Sequence, residues 1–317
     1  HPGDEEDRGD GVMGDLRAVI DVGTNSIKFH VARMRGDGML GTVVDENDIA
    51  RLGEGLRETG LIAPEPLERN AQSVAAFVAR ARSLGAETPE IVGTMALRTA
   101  KNADAFIARV KELSDATLRV IGGEEEARLS YLAVMSGLPV GESELVTFDT
   151  GGGSTEFVYG KGASMLRKFS VTLGAVRITE EFFREDPVLQ GAVERASAEI
   201  VKSLKDGGVS GRTDFLVGMG GTVTSLASVK FEMAVYDPDV VQGSTLTLGE
   251  IDAQIADYAG KTLEQRRAIV GLQPKRADVI LAGACIVRAI CTLLGVSSFT
   301  VSDRGLRHGL VYELFRK

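Results

Sequence analysis

The pattern D-x-G-x-x-S-x-x-F occurs twice in this chain, and it constrains the fold more than any other feature. It reads VIDVGTNSIKF near the start and TFDTGGGSTEF near the middle, so that Asp21 matches Asp149 and Gly23 matches Gly151. In each copy an apolar run ends at the acid and glycines follow, which predicts a strand, a tight turn and a second strand. Each copy also begins a stretch of alternating strands and helices. The sequence therefore predicts two related α/β domains that face each other across a cleft.

The remaining elements follow from the spacing of apolar residues. After the first hairpin, the pattern predicts a third strand over 41–48 and an amphipathic helix over 65–84, and strands and helices alternate from there. The restart of the pattern places domain I at 15–138 and domain II at 139–317, with a C-terminal helix that can pack back on domain I. The first fourteen residues are rich in Asp, Glu and Gly, which predicts a disordered acidic tail.

Composition excludes several classes of protein. The 317 residues carry a formal net charge of −9, which argues against sequence-independent binding of nucleic acid. No apolar run approaches the roughly 20 residues that cross a bilayer, and no secretory segment is evident, so we expect a cytoplasmic protein without a membrane partner. Cys285 and Cys291 lie in an apolar helical pattern, which indicates reduced core thiols.

The two glycine-rich turns are typical of phosphate binding. Without a Cβ, glycine lets backbone N–H groups approach and converge on an anion. Carboxylates repel phosphate, but Asp21 and Asp149 suit Mg²⁺ that is held with its waters between carboxylate and phosphate oxygens. Two opposed hairpins therefore predict a clamp for a chain of phosphates with bound Mg²⁺. A purely structural role, in which both acids only shape the turns, is the alternative.

Hydrolysis also requires a base that directs water and a cation that neutralises charge. The candidate bases are Glu156, on the second hairpin, and the three acids of GGEEEARLSY, Glu124, Glu125 and Glu126. The residues alone do not choose among these three, because acids in a first helical turn commonly interact only with the helix dipole. Arg98 follows the predicted strand EIVGT, where open α/β sheets place ligand-binding groups.

A third glycine cluster, VGMGGT, lies between a predicted strand and a predicted helix and contains Gly220 and Gly221. It matches neither the Walker A pattern nor the dinucleotide fingerprint, and a tight turn alone would also explain it. Arg276, Arg304 and Arg307, taken singly, read as surface residues rather than as parts of a site.

In order along the chain, the segments VIDVGTNSIKFHVAR, VGTMALRTAKNADAF, VIGGEEEARLSYLAV, FDTGGGSTEFVYG, VGMGGT and SDRGLRHGLVYE resemble the motifs of the exopolyphosphatase and guanosine pentaphosphate phosphohydrolase (Ppx/GppA) family. The resemblance runs from about Leu16 to the C-terminus. It implies an actin-like ATPase fold, with two ribonuclease H-like βββαβαβα domains facing a central cleft. It also implies Mg²⁺-dependent cleavage of the terminal phosphate of polyphosphate or guanosine pentaphosphate, and it is compatible with a homodimer.

Carried over by position, the resemblance implies the following phosphate-binding residues: Asp21, Gly23, Thr24, Asn25 and Ser26 in the first loop, Asp149, Gly151, Gly152, Gly153 and Ser154 in the second, and Gly220, Gly221 and Thr222 in the third cluster. It implies that Glu126 is the catalytic base, with Glu156 and Arg98 as the other catalytic residues. It places Mg²⁺ near Asp149 and Glu156. The chain departs from the family at His308, where the family often has glutamate.

The favoured hypothesis is therefore an exopolyphosphatase, with guanosine pentaphosphate as a second candidate substrate. Two alternatives keep the fold and change the function. One is an ATP-dependent small-molecule kinase in which GMGGT helps to hold adenosine. The other is a non-enzymatic sensor that binds guanosine tetra- or pentaphosphate.

Overall fold

The computed structural model describes residues 15–24 and 26–317, and for Arg57 only the backbone. The predicted acidic tail and Asn25 lie outside the described residues. By packing, the chain divides into two compact units. The first runs up to Gly122 and includes Glu313–Lys317, and the second is Gly123–Tyr312. Among the described residues, no helix is both long and apolar enough to cross a membrane.

The strands occur in two groups, one in each unit. In chain order they are β1 Arg17–Val22, β2 Ile27–Met34, β3 Leu40–Asp48, β4 Glu90–Gly93, β5 Leu118–Val120, β6 Glu144–Thr150, β7 Thr155–Lys161, β8 Ser164–Val171, β9 Phe215–Met219, β10 Thr245–Thr247 and β11 Ser298–Ser302. The strands predicted around the two glycine hairpins, including the third strand, are confirmed.

The helices connect and cover these strands. In chain order they are α1 Leu56–Thr59, α2 Pro64–Ser83, α3 Met95–Thr99, α4 Ala103–Ser114, α5 Gly123–Met135, α6 Ala175–Phe182, α7 Ala192–Asp206, α8 Gly220–Lys230, α9 Pro238–Val241, α10 Leu248–Ala259, α11 Leu263–Arg267, α12 Ile280–Leu293 and α13 Leu306–Leu314, with a 3₁₀ turn at Pro274–Arg276. The predicted amphipathic helix over 65–84 is α2, which begins with proline and is followed by Gly85 in the left-handed conformation.

The two sheets repeat one topology. The first has the order β3-β2-β1-β4-β5, and the second has the order β8-β7-β6-β9-β11-β10. In each sheet an antiparallel hairpin comes first, β1 with β2 and β6 with β7, and the first strand of that hairpin then pairs in parallel with a later strand. The sequence repeat is thus a repeat of structure, and the predicted α/β class is confirmed. The prediction that the units face each other across a cleft stays a prediction.

Each unit has its own apolar core. In the first, α2 and α4 pack against the sheet through side chains that include Val74, Val78 and Phe106. In the second, α12 is a largely buried helix, which contains both cysteines. Burial raises the pKa of both thiols to about 12, so they remain protonated core residues, as the apolar pattern predicts.

The division between the units differs from the predicted boundary after residue 138. Tyr131 and Val134 of α5 pack against Leu145 and Val158 in the second sheet, and the Tyr131 hydroxyl donates to the carbonyl of Gly162. Because these contacts hold α5 on the second sheet, the division comes before α5, after Gly122. At the other end of the chain, most of α13 belongs to the second unit, and only the residues after Tyr312 group with the first.

Candidate active site

The first predicted phosphate loop is the turn between β1 and β2. The N–H of Gly23 donates to the carbonyl of Ser26 at 3.0 Å, which closes the turn. A Cβ at Gly23 would lie only 3.0 Å from that same oxygen, so the closed turn favours glycine. Asp21 is buried in β1 and lies opposite Lys28 of β2. The acid of this loop is therefore fixed within the sheet, while the turn extends beyond it.

The second predicted loop, between β6 and β7, closes in the same way. The N–H of Gly151 donates to the carbonyl of Ser154 at 2.9 Å. The loop also rests on the start of α6, because the N–H of Ala175 donates to the carbonyl of Gly151, again at 2.9 Å. A Cβ at Gly174 would lie 2.2 Å from the carbonyl oxygen of Gly152, so only glycine allows this approach. Gly174 stands directly before α6, and no sequence motif indicates its contact with the loop.

Two carboxylates and a hydroxyl form a row across the second sheet. Asp149 of β6 lies opposite Glu156 of β7, and Glu156 lies opposite Ser170 of β8. Directly opposed residues have Cβ atoms about 5 Å apart and share one face of the sheet. The Oε1 atom of Glu156 accepts hydrogen bonds from the Ser170 hydroxyl at 2.9 Å and from the Ser154 hydroxyl at 2.6 Å. These two bonds fix the orientation of the Glu156 carboxylate.

The third glycine cluster joins this row. A Cβ at Gly220 would lie 2.0 Å from Oδ1 of Asp149, and Gly220 has a φ of +81°, which other residues rarely adopt. The Thr222 hydroxyl donates to the carbonyl of Thr150 at 2.9 Å, which ties the start of α8 to the end of β6. The Asp149 carboxylate therefore lies beside the N-terminal end of α8, where the helix dipole favours a negative charge.

The row fits a divalent cation. Among the described residues, no group of three or more His, Cys, Asp or Glu side chains is placed to hold a metal ion. Mg²⁺, however, is usually bound by one or two carboxylates, keeps several of its waters and takes further oxygens from phosphate. Asp149 and Glu156 supply such a pair, and the missing side chain of Gly220 makes room for one of them. The donor set thus fits a hydrated Mg²⁺ better than a fully enclosed metal.

Helix α5 covers the face of the sheet that carries the row. Leu145, which packs against α5, lies on the same face of β6 as Asp149, because alternate residues of a strand share a face. In the same way Val158, another contact of α5, shares a face of β7 with Glu156. The helix that carries the three candidate acids therefore packs on the face from which the two carboxylates extend.

The structure separates one of the three acids of α5 from the others. The ammonium of Lys168, on β8, donates to Oε1 of Glu124 at 3.2 Å and to the carbonyl of Gly123 at 3.1 Å. Glu124 is exposed, whereas Glu125 and Glu126 are half-buried. An ion pair with Lys168 at the surface thus explains the acid at position 124. Glu125 and Glu126 remain as the candidates for the catalytic base, and the resemblance to the family implies that the base is Glu126.

Arg98 lies in the first unit, where the sequence places it, just beyond the carboxyl end of β4. It belongs to the short helix α3, and its Nη1 donates to the carbonyl of Ile121 at 2.9 Å. Thr94, which precedes α3, donates its N–H to the carbonyl of Val22 at 3.2 Å, so the start of α3 is tied to the end of β1. The arginine is exposed at the end of the strand that pairs with the first phosphate-loop strand.

A cavity of about 420 Å³ lies beside the start of α8 in the second unit. Its polar lining includes Thr224, Ser225, Ser228, Gln273, Tyr236 and Asp303. The Tyr236 hydroxyl donates to Asp303 at 2.9 Å, and burial, with the nearby carboxylate, raises the pKa of this tyrosine. A Cβ at Gly221 would lie 2.1 Å from Nη2 of Arg276, so this guanidinium rests on the glycine backbone at the cavity wall. Arg276 is thus part of a cavity, which its sequence context does not reveal.

The family follows from comparison with known proteins. A model of the Ppx/GppA phosphatase family matches residues 30–317. The chain belongs to this family. Exopolyphosphatase 2 of Mycobacterium tuberculosis is 31% identical to it over 312 residues, which cover 94% of this chain and 98% of that protein.

Longer Ppx/GppA relatives match over the same part of the chain. The guanosine-5'-triphosphate,3'-diphosphate pyrophosphatase of Vibrio vulnificus is 32% identical over 306 residues, 94% of this chain. The bifunctional 3-dehydroquinate synthase/phosphatase of Fusobacterium nucleatum is 30% identical over 309 residues, also 94% of this chain. The chain spans only 59% of the Vibrio protein and 46% of the Fusobacterium protein.

The solved structures agree with the sequence comparison. A crystal structure of the Aquifex aeolicus Ppx/GppA phosphatase superposes with a TM-score of 0.85 at 34% identity, covering 94% of this chain and 99% of that chain. The family and the actin-like fold implied by the motifs are therefore confirmed. The roles of the individual site residues stay predictions.

Proposed function

We propose that this protein hydrolyses the terminal phosphoanhydride bond of inorganic polyphosphate, and that guanosine pentaphosphate is a second substrate. The observation that carries the proposal is the row of Asp149 and Glu156, placed beside the second glycine loop and against Gly220 at the start of α8. Relatives that carry the names exopolyphosphatase and guanosine pentaphosphate pyrophosphatase match nearly the whole chain. Both substrates offer the same reacting group, a terminal phosphate on a phosphoanhydride.

In the proposed site the glycine loops bind phosphate oxygens through backbone N–H groups. Asp149 and Glu156 would hold Mg²⁺, which when bound neutralises charge on the phosphate oxygens. The Ser154 and Ser170 hydroxyls hold the Glu156 carboxylate in one orientation. Arg98, in the first unit, supplies a planar set of donors suited to phosphate oxygens.

The reaction itself needs one proton transfer. Water attacks the terminal phosphorus in line with the bond that breaks, and the Glu126 carboxylate accepts a proton from that water. The P–O bond to the next phosphate breaks, and its electron pair stays on the bridging oxygen. The products are orthophosphate and a chain that is shorter by one phosphate. For guanosine pentaphosphate, the second product is the tetraphosphate.

The cavity beside α8 supports guanosine pentaphosphate as the second substrate. A nucleoside brings hydroxyls, ring nitrogens and an aromatic face, and the cavity offers hydroxyls, an amide, a carboxylate and a tyrosine. Polyphosphate could use only the Arg276 guanidinium of this cavity, because it has no ring, amide or sugar hydroxyl for the other lining groups. The cavity begins at Gly221, the neighbour of the glycine that contacts Asp149, so it adjoins the proposed phosphate site within one unit.

Phosphate release from four substrates tests the proposal. We expect Mg²⁺-dependent release from short polyphosphate, long polyphosphate and guanosine pentaphosphate, and little from ATP. Glu126→Gln should lower kcat by about a hundredfold or more, the typical effect of losing a general base, while the fold and substrate binding persist. Glu124→Gln is the matched control and should lose less than tenfold, because its amide oxygen still accepts from Lys168.

Other results would point elsewhere. Near-normal release by Glu126→Gln would remove that residue as the base, and a large loss in a parallel Glu125→Gln variant would identify its neighbour instead. Transfer of phosphate from ATP to a small acceptor, rather than to water, would favour the kinase alternative. Saturable binding of guanosine pentaphosphate without hydrolysis of any substrate would favour the sensor.

A further inference from the structure

We propose that Lys168, on β8, is a positioning residue for the catalytic base. It holds the first turn of α5 on the second sheet, and that turn carries Glu126. The inference rests on the proposed function, because it takes Glu126 as the group that accepts the proton. Neither the motifs nor the glycine loops point to Lys168, which lies in a strand of otherwise mixed composition.

The Lys168 ammonium forms two hydrogen bonds at the beginning of the helix. Its ammonium donates to the carbonyl of Gly123 at 3.1 Å and to the carboxylate of Glu124 at 3.2 Å. These are the first two residues of α5. Lys168 also shares a face of β8 with Ser170, two residues away, which holds Glu156. One face of one strand therefore supports both the carboxylate row and the helix that carries the proposed base.

The first turn of α5 buries little apolar surface of its own. The buried side chains of α5 begin only at Leu129. The helix is preceded by Gly122 and begins with Gly123, and at neither position would a Cβ meet another atom within 4 Å in the part of the chain that the structure describes. A diglycine with open space around it leaves this end of the helix without a steric constraint. Lys168 supplies the polar contact that packing does not.

Lys168 contacts the backbone of α5 as well as one of its side chains. A cation near the N-terminal end of a helix is opposed by the helix dipole, so the dipole does not explain its position. The Lys168 ammonium donates to the backbone carbonyl of Gly123, so the lysine is bound to the helix itself and not only to a flexible carboxylate. Its side chain is only 30% exposed, which limits the freedom of the ammonium.

Position matters at this point of the helix because proton transfer depends on distance. Glu126 is three residues beyond Gly123, within the same helical turn. A displacement of about 1 Å of a catalytic group can lower the rate by up to about a hundredfold. Loss of the lysine should therefore slow the chemical step while leaving the phosphate loops intact.

Steady-state kinetics on short polyphosphate test the inference. Lys168→Met keeps the length of the stem and removes the ammonium, and we expect kcat to fall about tenfold with KM within twofold of the wild type. Lys168→Arg keeps a donor to both partners and should restore kcat to within about threefold. Lys161→Met, on the neighbouring strand β7, is the matched control and should behave like the wild type. Hydrogen exchange should show faster exchange of the amides in the first two turns of α5 in Lys168→Met alone.

Two results would overturn the inference. One is an unchanged kcat and KM in Lys168→Met, and the other is an unchanged kcat with a raised KM, which would make Lys168 a substrate-binding residue. Failure of the proposed function looks different, because the wild type would then release no phosphate from any substrate. In that case hydrogen exchange decides whether Lys168 holds α5, and unchanged protection in Lys168→Met would refute it.

Discussion

Replacement of Gly220 by alanine is the sharpest test of the second phosphate site, because one methyl group would disturb it in two ways. Gly220 has a φ of +81°, so alanine there adopts an unfavourable backbone conformation. The added Cβ would also lie 2.0 Å from Oδ1 and 2.7 Å from Cγ of Asp149, far inside van der Waals contact. The carboxylate, the helix or both must move.

The two effects have separable magnitudes. The left-handed conformation costs alanine about 1–2 kcal/mol in the free energy of folding. The collision adds to this, because Asp149 must leave the row that it forms with Glu156. If the row holds Mg²⁺ as proposed, we expect kcat on polyphosphate to fall about a hundredfold. That loss corresponds to about 2.7 kcal/mol of transition-state stabilisation.

Two glycines in the same unit provide controls. Gly211 has a φ of +96° and open space around its Cβ position, so Gly211→Ala incurs the backbone cost without a collision. Gly249 lies within α10 with open space and no positive φ, so Gly249→Ala should stabilise the protein by about 0.5–1 kcal/mol. Urea unfolding measures the stability of all three variants, and phosphate release with a titration of Mg²⁺ measures their activity.

The comparison between Gly220→Ala and Gly211→Ala decides the outcome. Both should lose stability, but only Gly220→Ala should lose activity and require more Mg²⁺. Equal activity in the two folded variants would show that the approach of Asp149 to α8 has no role in the reaction. The proposal that this row holds the metal would then fail.

Two further variants test smaller parts of the second unit. Ser170→Ala removes one of the two hydrogen bonds to Glu156, so we expect the site to bind Mn²⁺ roughly threefold more weakly in a titration followed by electron paramagnetic resonance. Ser164→Ala, on the same strand, is the control and should leave the affinity for Mn²⁺ unchanged. Equal affinity in both variants would show that Ser170 does not orient Glu156 for metal binding. His308, the third residue of α13, accepts a hydrogen bond from the N–H of Gly305 through Nδ1, as the N3 glutamate of a capping box does. His308→Ala should therefore lower the unfolding free energy by about 1–2 kcal/mol, and His308→Gln by less. The reverse order in urea unfolding would exclude this capping role.

The last of these contacts accounts for a departure from the family. Where relatives often have glutamate, this chain has His308, and the sequence alone gives the change no function. In the structure the imidazole nitrogen accepts the backbone hydrogen bond that a glutamate at this position of a helix commonly accepts. The two residue types share an acceptor at the same reach. This hydrogen bond gives His308 a structural role at the beginning of α13.

The local parts of the fold could be predicted from the sequence because their signals are local. The two hairpins follow from β-branched runs that end in glycine, and α2 follows from apolar spacing closed by Gly85. The short helices α1, α3, α6 and α9 and the three-residue strand β10 were not predicted. Except for α6, these elements have only three to five residues, too few for an apolar pattern to repeat, and their stability comes from tertiary contacts.

The site could be predicted only in part, because its decisive contacts join distant parts of the chain. The motifs named Asp149, Glu156 and Gly220, but the approach of Gly220 to Asp149 depends on the parallel pairing of β6 with β9. Ser170 and Lys168 owe their positions to the register of β7 with β8. A single sequence fixes neither the pairing nor the register, so these residues had no signal of their own.

The repeat also shows why the two hairpins should differ in function. The position that follows the serine by two is Lys28 in the first copy and Glu156 in the second. In the first hairpin Asp21 lies opposite Lys28, so the opposed pair carries one charge of each sign. In the second hairpin Asp149 lies opposite Glu156, so both charges of the pair are negative. An acid beside a lysine is electrostatically balanced and has little need of a divalent cation, but two opposed carboxylates repel each other unless a cation lies between them. From one repeated pattern, the second hairpin therefore presents the carboxylate pair that we propose for Mg²⁺, and the first is suited to bind phosphate through its backbone and its cation.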